Sequence, residues 1–503
     1  MTTNKRERRR LWGARWLAIL LAAALVAAAC GDDGDDEEAE EATTTTEATT
    51  TSAAEEEDDD EPEEPAAPFE GRTIKFWSTE TQPERLEATQ AIIARFTEAT
   101  GAQVELTAAD ENQLPELMLV NAASATLPDV VFHPIDFTTG WAAQGLLEVE
   151  AAAAVIETLG ADTFSAGAID LVTVDGQAAA VPSDGWGQLL LYRTDLFDAA
   201  GLDAPDTFDK IEAAADALHD PGNNLVGFTA STDPAAVFTQ QTFEHVALAN
   251  GCELTDGTNI TLDSDNCVEA IEFFTTMIND YSVQGLQDVV TTRATYFAGE
   301  AAMIIWSPFI LDEMAGLRDA ATPACDECAD NPTFLAENSG IVPSFSGPSG
   351  SPAQYGQVSA MGIGAGADVE VAQAFIEFWL SDGYVDWLAV APEGKLPMRR
   401  GNADDPTVYL EGWKTLETGV DRKAKLADFY GAEIIDTLVA GTDGFSRWGF
   451  TQGEGELVGS LYTTLVVPEG LGDALAGTSA ANAAATMQSR AEEEKELLSS
   501  DDG

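Results

Sequence analysis

Basic side chains are scarce in this 503-residue sequence, which has 24 Lys and Arg against 88 Asp and Glu and a formal net charge of −64. Residues 1–70 hold 20 of the acids and 6 of the bases, so the rest of the chain carries 68 acids against 18 bases. A surface this acidic repels nucleic acid and anionic lipid. The composition therefore excludes DNA, RNA and peripheral membrane binding, and it suits work at high external salt, where like charges are screened.

Sequence motifs that carry catalysis or hold metals are also missing. His133, His219 and His245 lack the HExxH spacing of a zinc site, and no GxSxG nucleophile elbow occurs. Residues 362–367 fit the loose GxGxxG/A pattern without any basic residue nearby, so we interpret them as a turn into a helix capped by Asp368. The sequence therefore predicts no metal, no cofactor and no enzymatic activity.

Long apolar runs are limited to the fourteen residues Trp16–Ala29, which follow six basic residues between Lys5 and Arg15. This run suits the core of a signal peptide and is short for a membrane span. It ends Val-Ala-Ala-Ala-Cys-Gly, which resembles a bacterial lipoprotein signal, although Ala27 stands where leucine is usual. We expect residues 1–29 to be removed and Cys30 to carry lipid, which would be the protein's only membrane contact.

Acidic, low-complexity sequence flanks the globular part at both ends. Residues 31–70 contain nineteen acids, no base, two threonine runs and several prolines. Such a segment cannot bury enough apolar surface to fold, and its charges repel one another. We expect residues 30–70 to form a disordered tether and residues 491–503 to form an acidic tail.

Cysteines number five, which leaves four besides Cys30, an even number in an exported protein. Pairing by proximity predicts the disulfides Cys252–Cys267 and Cys325–Cys328, and the two other pairings stay open. The alternatives are a redox role for Cys325 and Cys328 and a zinc site formed by all four cysteines. The two acids between Cys325 and Cys328 argue against a redox role, because negative charge raises the pKa of a thiol.

The stretch 176–201 lies at the centre of the predicted fold. It reads as a strand Ala178–Val181 ended by Pro182, an open turn Ser183–Gly185, then Trp186 and a second strand Leu189–Tyr192. A turn that offers the carboxylate of Asp184 beside a large aromatic ring is well placed to line a cleft.

Before this stretch, predicted strands and helices alternate, which argues for a doubly wound α/β lobe. Ligands of such lobes bind beyond the carboxyl ends of the strands. Those ends carry Trp77 with Glu80, and His133 with Asp136.

Six segments stand in a characteristic order along the chain. They are FTEATGAQVEL, LPDVVF with AAQGLLEVE, AVPSDGWGQLLLYRTDLFDAAGL, FAGEAAMIIWSP, VSAMGIGAGADVEVAQAFIEFWLSDG and KLPMRRG. From Thr73 to about Arg490 the chain thereby resembles the carbohydrate-binding family of extracellular solute-binding lipoproteins of bacterial ABC importers, which includes maltose-binding protein.

The resemblance implies an α/β, type II periplasmic-binding-protein-like fold with two lobes, hinge crossings and a ligand cleft between the lobes. The first lobe would comprise residues 71–182 and 357–396, and the second residues 186–356 and 397–490. The implied protein is a monomer, lipid-anchored outside the cell membrane or in the periplasm, that passes a sugar to the permease subunits of an ABC transporter.

Candidate ligand-binding residues follow from this resemblance and from the chemistry of sugars, which need flat aromatic faces and planar hydrogen-bonding groups. By position, Asp136 matches an acid that accepts sugar hydroxyls, Trp186 falls at a cleft carboxylate that Asp184 would replace, and Phe309 falls at a stacking tryptophan. Trp306 lies three residues earlier, and which of the two rings faces the ligand stays open. Further candidates are Trp77, Glu80, His133 and Trp448.

Two other functions fit the same residues. Tryptophans beside acids could cage a cationic solute such as a polyamine or betaine, whose affinity would respond to salt. Two acids in an aromatic cleft could also make an extracellular glycoside hydrolase, which would turn its sugar over.

Overall fold

The computed structural model describes residues 67–501. The predicted signal peptide, Cys30 and residues 30–66 of the predicted tether lie outside the described residues. Near residue 67 the chain is already bonded to the fold, because the N–H of Phe69 donates to the carbonyl of Thr100 at 2.9 Å. Among the described helices, none combines the length and the apolar character that crossing a bilayer requires.

The described chain alternates short strands with helices. The strands are β1 Thr73–Ser78, β2 Gln103–Ala108, β3 Val130–Pro134, β4 Thr173–Val174, β5 Gln177–Ala178, β6 Val181–Gly187, β7 Leu189–Arg193, β8 Met303–Trp306, β9 Ser339–Val342, β10 Gln354–Ile363, β11 Leu396–Pro397, β12 Glu417–Thr418, β13 Ala424–Lys425 and β14 Phe445–Ser446.

The helices pack around these strands. They are α1 Pro83–Thr100, α2 Leu114–Ala123, α3 Thr138–Ala143, α4 Val149–Leu159, α5 Ala166–Val172, α6 Thr194–Ala200, α7 Phe208–Leu218, α8 Val237–Ala249, α9 Asp265–Tyr281, α10 Val289–Phe297, α11 Ile310–Met314, α12 Phe334–Glu337, α13 Val369–Trp379, α14 Tyr384–Leu388, α15 Val408–Lys414, α16 Ala427–Gly441, α17 Gly455–Thr464, α18 Val466–Leu475 and α19 Ala480–Asp501.

The larger sheet has seven strands. Six of them lie in the order β11-β6-β10-β3-β1-β2, and β14 pairs with β10. Strands β1, β2 and β3 run parallel, whereas β10 is antiparallel to both β3 and β6. The parallel strands are connected through α1 and α2, as βαβ units require. The alternating α/β architecture predicted from the sequence is therefore confirmed.

The central stretch departs from its prediction, because Ser183–Gly185 is not a turn. Strand β6 runs without interruption from Val181 to Gly187 and contains Pro182. Proline is found beside such irregularities, and here the register between β6 and β10 skips Ser183, because Asp184 lies opposite Ser359 and Pro182 opposite Ala360. Beyond this irregularity, Asp184 and Trp186 are two residues apart and lie on the same face of the strand.

The second sheet has three antiparallel strands in the order β8-β7-β9. A single residue, Gln188, separates β6 in the first sheet from β7 in the second. Residues 343–353 make the return connection from β9 to β10. The chain thus passes between the sheets through two short connections that lie close to Asp184 and Trp186.

The C-terminal region contacts elements of both sheets. Strand β14 pairs in parallel with β10, and α17 packs on α3 and on the 3₁₀ helix Ile135–Phe137. Helices α18 and α19 pack instead against α9, which lies between β7 and β8 of the second sheet in the sequence. The predicted acidic tail continues α19 as far as Asp501, and its first residue Ala491 is buried.

Both disulfides predicted from proximity are present. Cys252 and Cys267 are bonded with their Cα atoms 4.6 Å apart, and Cys325 and Cys328 are bonded at 4.9 Å. The first bridge ties the end of α8 to the start of α9.

The glycine-rich segment 362–367 contains the predicted turn, which follows the end of strand β10. Strand β10 ends at Ile363, and the side chain of Asp368 accepts the N–H of Val371 at 3.4 Å to cap α13.

Arg399 follows β11 and is buried without a carboxylate partner in the described chain. Its guanidinium donates to the carbonyl of Leu380 at 2.6 Å and to the carbonyl of Leu159 at 3.1 Å. Leu159 is the last residue of α4 and Leu380 is the C-cap of α13. The positive charge therefore lies at the negative ends of two helix dipoles.

Candidate functional site

A cavity of about 230 Å³ opens at the carboxyl ends of β1, β2 and β3. One wall comes from the first sheet and the segments after its strands, and Phe309 contributes from the segment after β8 of the second sheet. The lining residues are Thr79, Glu80, Thr81, Gln82, Arg85, Glu111, Phe132, Asp184, Trp186, Phe309, Ser359, Ala391, Gly394 and Lys395. Four of the nine candidates predicted from the sequence meet here: Glu80, Asp184, Trp186 and Phe309.

Lys395 is the buried cation of this cavity. Its Nζ lies 2.7 Å from a carboxylate oxygen of Glu80 and 3.1 Å from Oδ1 of Asp184. Arg85 pairs with the other oxygen of Glu80 at 2.7 Å. Burial by itself would raise the pKa of Glu80, but the charges of Lys395 and Arg85 outweigh it and hold that pKa at about 2.

The pKa of Lys395 is raised, although burial opposes the ammonium charge, because Asp184 and Glu80 stabilise it. Both Lys395 and Glu80 are therefore charged at neutral pH.

Three hydrogen-bond donors hold the carboxylate of Asp184 at the cavity wall. Its Oδ2 accepts the hydroxyl of Ser183 at 2.8 Å and the indole N–H of Trp387 at 2.7 Å, while Oδ1 faces Lys395. Nζ of Lys395 also lies 4.2 Å from the ring centroid of Trp387. Because Asp184 is 2% exposed and already accepts from three donors, its main effect is to fix the ammonium group that the cavity presents.

Two aromatic rings form the apolar part of the wall. The rings of Trp186 and Phe309 lie 6.3 Å apart at 67°, and both are half-buried. Phe309 rests directly on the backbone of Gly394, where an added Cβ would overlap its ring. Glycine at 394 thus lets Phe309 reach the residue next to Lys395.

Glu111 lies at the edge of the cavity, in the 3₁₀ helix Glu111–Gln113 that follows β2. Surrounding protein atoms disfavour its charged form, and Asp136, Glu80 and Asp110 add repulsion, which together raise the pKa of Glu111 to about 6. Its carboxylate has no hydrogen bond or ion pair with the side chains that the structure describes.

Asp136 lies beside the cavity in a separate network. Its carboxylate accepts from Gln357 at 2.5 Å and from Arg447 at 2.9 Å. Arg447 is fully buried, donates to Glu244 at 3.2 Å, and stands 4.6 Å over the ring of Tyr355. The ring of Tyr355 is in turn 5.9 Å from that of Trp186, so this network supports the aromatic wall from behind.

The remaining candidates lie elsewhere. Trp77 packs in a small core with Leu114 and Trp141, and Trp306 packs on Phe238 at 4.8 Å. Trp448 is fully buried and donates its indole N–H to the carbonyl of Cys252 at 2.8 Å.

His133 is also fully buried, which lowers its pKa to about 4, and its Nδ1 contacts the carbonyl of Pro134 at 2.9 Å. The structure therefore brings Phe309 rather than Trp306 to the cavity and leaves His133 a neutral packing residue.

Three charged residues of the cavity are not among the candidates predicted from the sequence: Lys395, Arg85 and Glu111. Glu111 follows β2 as Glu80 follows β1, so the rule that placed Glu80 at a strand end could also have found Glu111. Lys395 begins the segment KLPMRRG, one of the segments that carry the family resemblance, but the two-residue strand that follows it gives no sign that the lysine faces a cavity.

Together these groups can bind a small polar ring. The two aromatic rings offer apolar faces for C–H groups, while carboxylates and an ammonium group offer bonds to hydroxyls. The cavity is smaller than the roughly 300–1,000 Å³ typical of drug-sized ligands, so it suits a compact molecule.

Comparison with known sequences finds one family and one curated relative. The family model described as "Bacterial extracellular solute-binding protein" matches residues 80–386. The Escherichia coli (strain K12) protein YcjN, named as a periplasmic-binding protein of an ABC transporter, is 26% identical over 406 residues. This match spans 78% of the present chain and 88% of YcjN.

Solved structures show the same fold. Maltose-bound MalE3 of T. maritima is 20% identical, with a TM-score of 0.60, and the match covers 84% of the present chain and 99% of MalE3. The cyclic alpha-maltosyl-1,6-maltose binding protein of Arthrobacter globiformis is 16% identical with a TM-score of 0.62, covering 84% and 98%. The likeness confirms the two-lobe, type II periplasmic-binding-protein-like fold predicted from the sequence.

Proposed function

The chain belongs to the family of bacterial extracellular solute-binding proteins, and on that premise we propose that it captures a mono- or oligosaccharide outside the cell and delivers it to the permease of an ABC transporter. The observation that carries the proposal is the cavity itself. It sets the rings of Trp186 and Phe309 beside the charged group Glu80, Asp184 and Lys395. Structural relatives that bind maltose and a cyclic maltosyl-maltose support a sugar over other solutes.

Capture would involve the two lobes, which we propose to be residues 71–182 with 357–396 and residues 186–356 with 397–490. The connections at Gln188 and at 343–353 join the two sheets, and bending there would move Phe309 relative to Glu80 and Lys395. A permease that binds only the ligand-loaded arrangement of the lobes would sense whether sugar is present. This selective binding is the step that would commit a sugar to import.

Attachment to the membrane would come from the N-terminal sequence. We propose that residues 1–29 are a signal peptide, that Cys30 is lipidated, and that residues 30–66 let the folded part reach above the membrane surface. Two or three acyl chains would hold the protein stably, at about 0.8 kcal/mol per buried CH₂.

The protein would bind its sugar as a monomer without turning it over. Glu111, whose pKa is about 6, is the one acid of the cavity lining with the raised pKa that proton donation to a leaving group needs. A glycoside hydrolase also needs a second, free carboxylate, and Glu80 and Asp184 are both held in ion pairs with Lys395. Recovery of an oligosaccharide unchanged after prolonged incubation would agree with binding alone, whereas cleavage would support a glycoside hydrolase.

The decisive experiment is a thermal-shift screen of the full-length chain in mild detergent and high salt. Mono- to tetrasaccharides would be compared with polyamines and betaines, because a ligand at a hundred times its Kd adds about 2.7 kcal/mol. A saccharide hit is expected. A hit among the cationic solutes alone would overturn the substrate class.

The role of the aromatic wall is tested by Trp186→Ala. Loss of a buried ring contact is worth about 1.5–3 kcal/mol, so the affinity should fall tenfold or more. Trp306→Phe is the matched control, since Trp306 packs on Phe238 away from the cavity. Equal affinities of Trp186→Ala and the unaltered protein would show that the ligand binds elsewhere.

A further inference from the structure

Charges in the cavity do not balance. Three acids line it, Glu80, Glu111 and Asp184, against two bases, Arg85 and Lys395. Both bases are committed to Glu80 and Asp184 through contacts of 2.7–3.1 Å. The remaining charge belongs to Glu111, whose carboxylate is unpaired among the side chains that the structure describes.

Glu111 is exposed to solvent at the edge of the cavity, and no basic side chain among the described residues pairs with its carboxylate. The charged groups nearest to it in effect are Asp136, Glu80 and Asp110, all of which are acidic. Asp136 is itself bound by Arg447 and Gln357, so neither of those residues is free to turn toward Glu111. Since the whole chain carries −64, the long-range field of the protein adds to this repulsion instead of offsetting it.

A ligand can supply the hydrogen-bond donor and the positive charge that the protein does not place beside Glu111. A sugar hydroxyl would donate a hydrogen bond to Glu111 but would leave its charge uncompensated. A protonated amine would donate the bond and cancel the charge, and bonds between ionised groups are roughly twice as strong as neutral ones. A free anion is disfavoured by the acids that face it.

We propose that the sugar bound in this cavity carries a protonated amino group, which pairs with Glu111 while the ring contacts Trp186 and Phe309. Glu111 is then the specificity-determining residue of the site. The inference rests on the proposed sugar-binding function and narrows its substrate class to amino sugars. The size of the cavity, about 230 Å³, further favours one or two sugar rings over a long oligosaccharide.

The test compares amino sugars with their neutral counterparts by titration calorimetry on the full-length chain. Glucosamine is paired with glucose and with N-acetylglucosamine, whose nitrogen is uncharged, and galactosamine is paired with galactose. Putrescine serves as an amine without a sugar ring. We expect an amino sugar to bind about tenfold or more tightly than its neutral partners, with an affinity that falls as salt is added.

Glu111→Gln supplies the second arm, because glutamine keeps a hydrogen-bonding group and removes the charge. Its expected effect is a tenfold or greater loss for the amino sugar and less than threefold for the neutral sugar. Glu116→Gln is the matched control, since Glu116 is an exposed acid on α2 that does not line the cavity.

The outcomes distinguish failure of the amino-sugar inference from failure of the proposed sugar-binding function. Equal binding of amino and neutral sugars, unchanged in Glu111→Gln, would overturn the amino-sugar inference and leave the sugar-binding function standing. Binding of putrescine as tightly as glucosamine, or binding of no sugar of either kind, would overturn the proposed function and the inference with it.

Discussion

Replacing Lys395 by methionine removes the single cation shared by Glu80 and Asp184. Methionine keeps a side chain of similar length, so packing against Trp387 changes little while the charge is lost. Two buried carboxylates would then face each other with Arg85 as the only remaining base in contact with them.

The size of the effect follows from the pKa of Glu80. Its lowering from 4.5 to about 2 corresponds to about 3 kcal/mol of stabilisation of the charged form in the folded state. Removing one partner of a buried ion pair costs about 3–5 kcal/mol in other proteins. We therefore expect Lys395→Met to lose about 3 kcal/mol of unfolding free energy at pH 7.

The pH dependence has a definite sign. The lowered pKa means that Glu80 contributes stability above its unfolded pKa of about 4.5 and loses that contribution as the pH falls toward 2. Without Lys395, burial raises this pKa, so the carboxyl takes up a proton in the folded variant at a higher pH. The difference between the two proteins should consequently be largest near pH 7 and shrink as the pH falls below 4.5.

Urea unfolding at several pH values, followed by tryptophan fluorescence and near-ultraviolet circular dichroism, measures the effect and checks whether the transitions coincide. Lys210→Met is the control, because Lys210 pairs with Asp206 at 2.6 Å but on the exposed surface, where a pair is worth about 0–1 kcal/mol. A Lys395 variant no less stable than this control would refute the argument. A loss that stays the same at pH 4 would trace the effect to packing instead of charge.

Three further results are expected. Gly394→Ala should lower ligand affinity about tenfold by calorimetry, since its Cβ overlaps the ring of Phe309; an unchanged affinity would mean that this ring does not touch the ligand. Affinity for an amino sugar should rise between pH 5 and 7, because Glu111 with a pKa of about 6 must lose its proton to pair with the amine, and Glu111→Gln should abolish that rise. Replacing Cys252 and Cys267 by serine should cost about 3 kcal/mol in urea unfolding, given a loop of 15 residues; an unshifted midpoint would show that packing alone closes the loop.

The strand-end rule predicted part of the site from the sequence. Alternating strands and helices fixed the place of Glu80, because groups at the carboxyl ends of parallel strands converge. Asp184 and Trp186 were also recognised, although their strand was mistaken for a turn. The reason is Pro182, which normally ends a ladder and here lies next to a register irregularity at Ser183 that only the pairing with β10 creates.

The tryptophans show where sequence reasoning stops. Trp186 reaches the cavity, whereas Trp77, Trp306 and Trp448 are packed inside. An aromatic residue serves a core or a ligand surface equally well, so composition and spacing do not separate the two uses. Contacts between residues far apart in the chain decide it, as with Phe309 and Gly394.

Arg399 attaches the segment that carries Lys395 to the fold through hydrogen bonds to backbone carbonyls, without any carboxylate. Every ion pair around Glu80 depends on a carboxylate and disappears when acid protonates it. The carbonyls of Leu159 and Leu380 have no proton to gain, and the guanidinium keeps its own charge. Acidification would therefore dismantle the binding chemistry of the cavity while the strand beneath it stays fastened to two helix ends. The hydrogen bonds of Arg399 are thus a fastening of this segment that does not weaken as the carboxylates of the cavity take up protons.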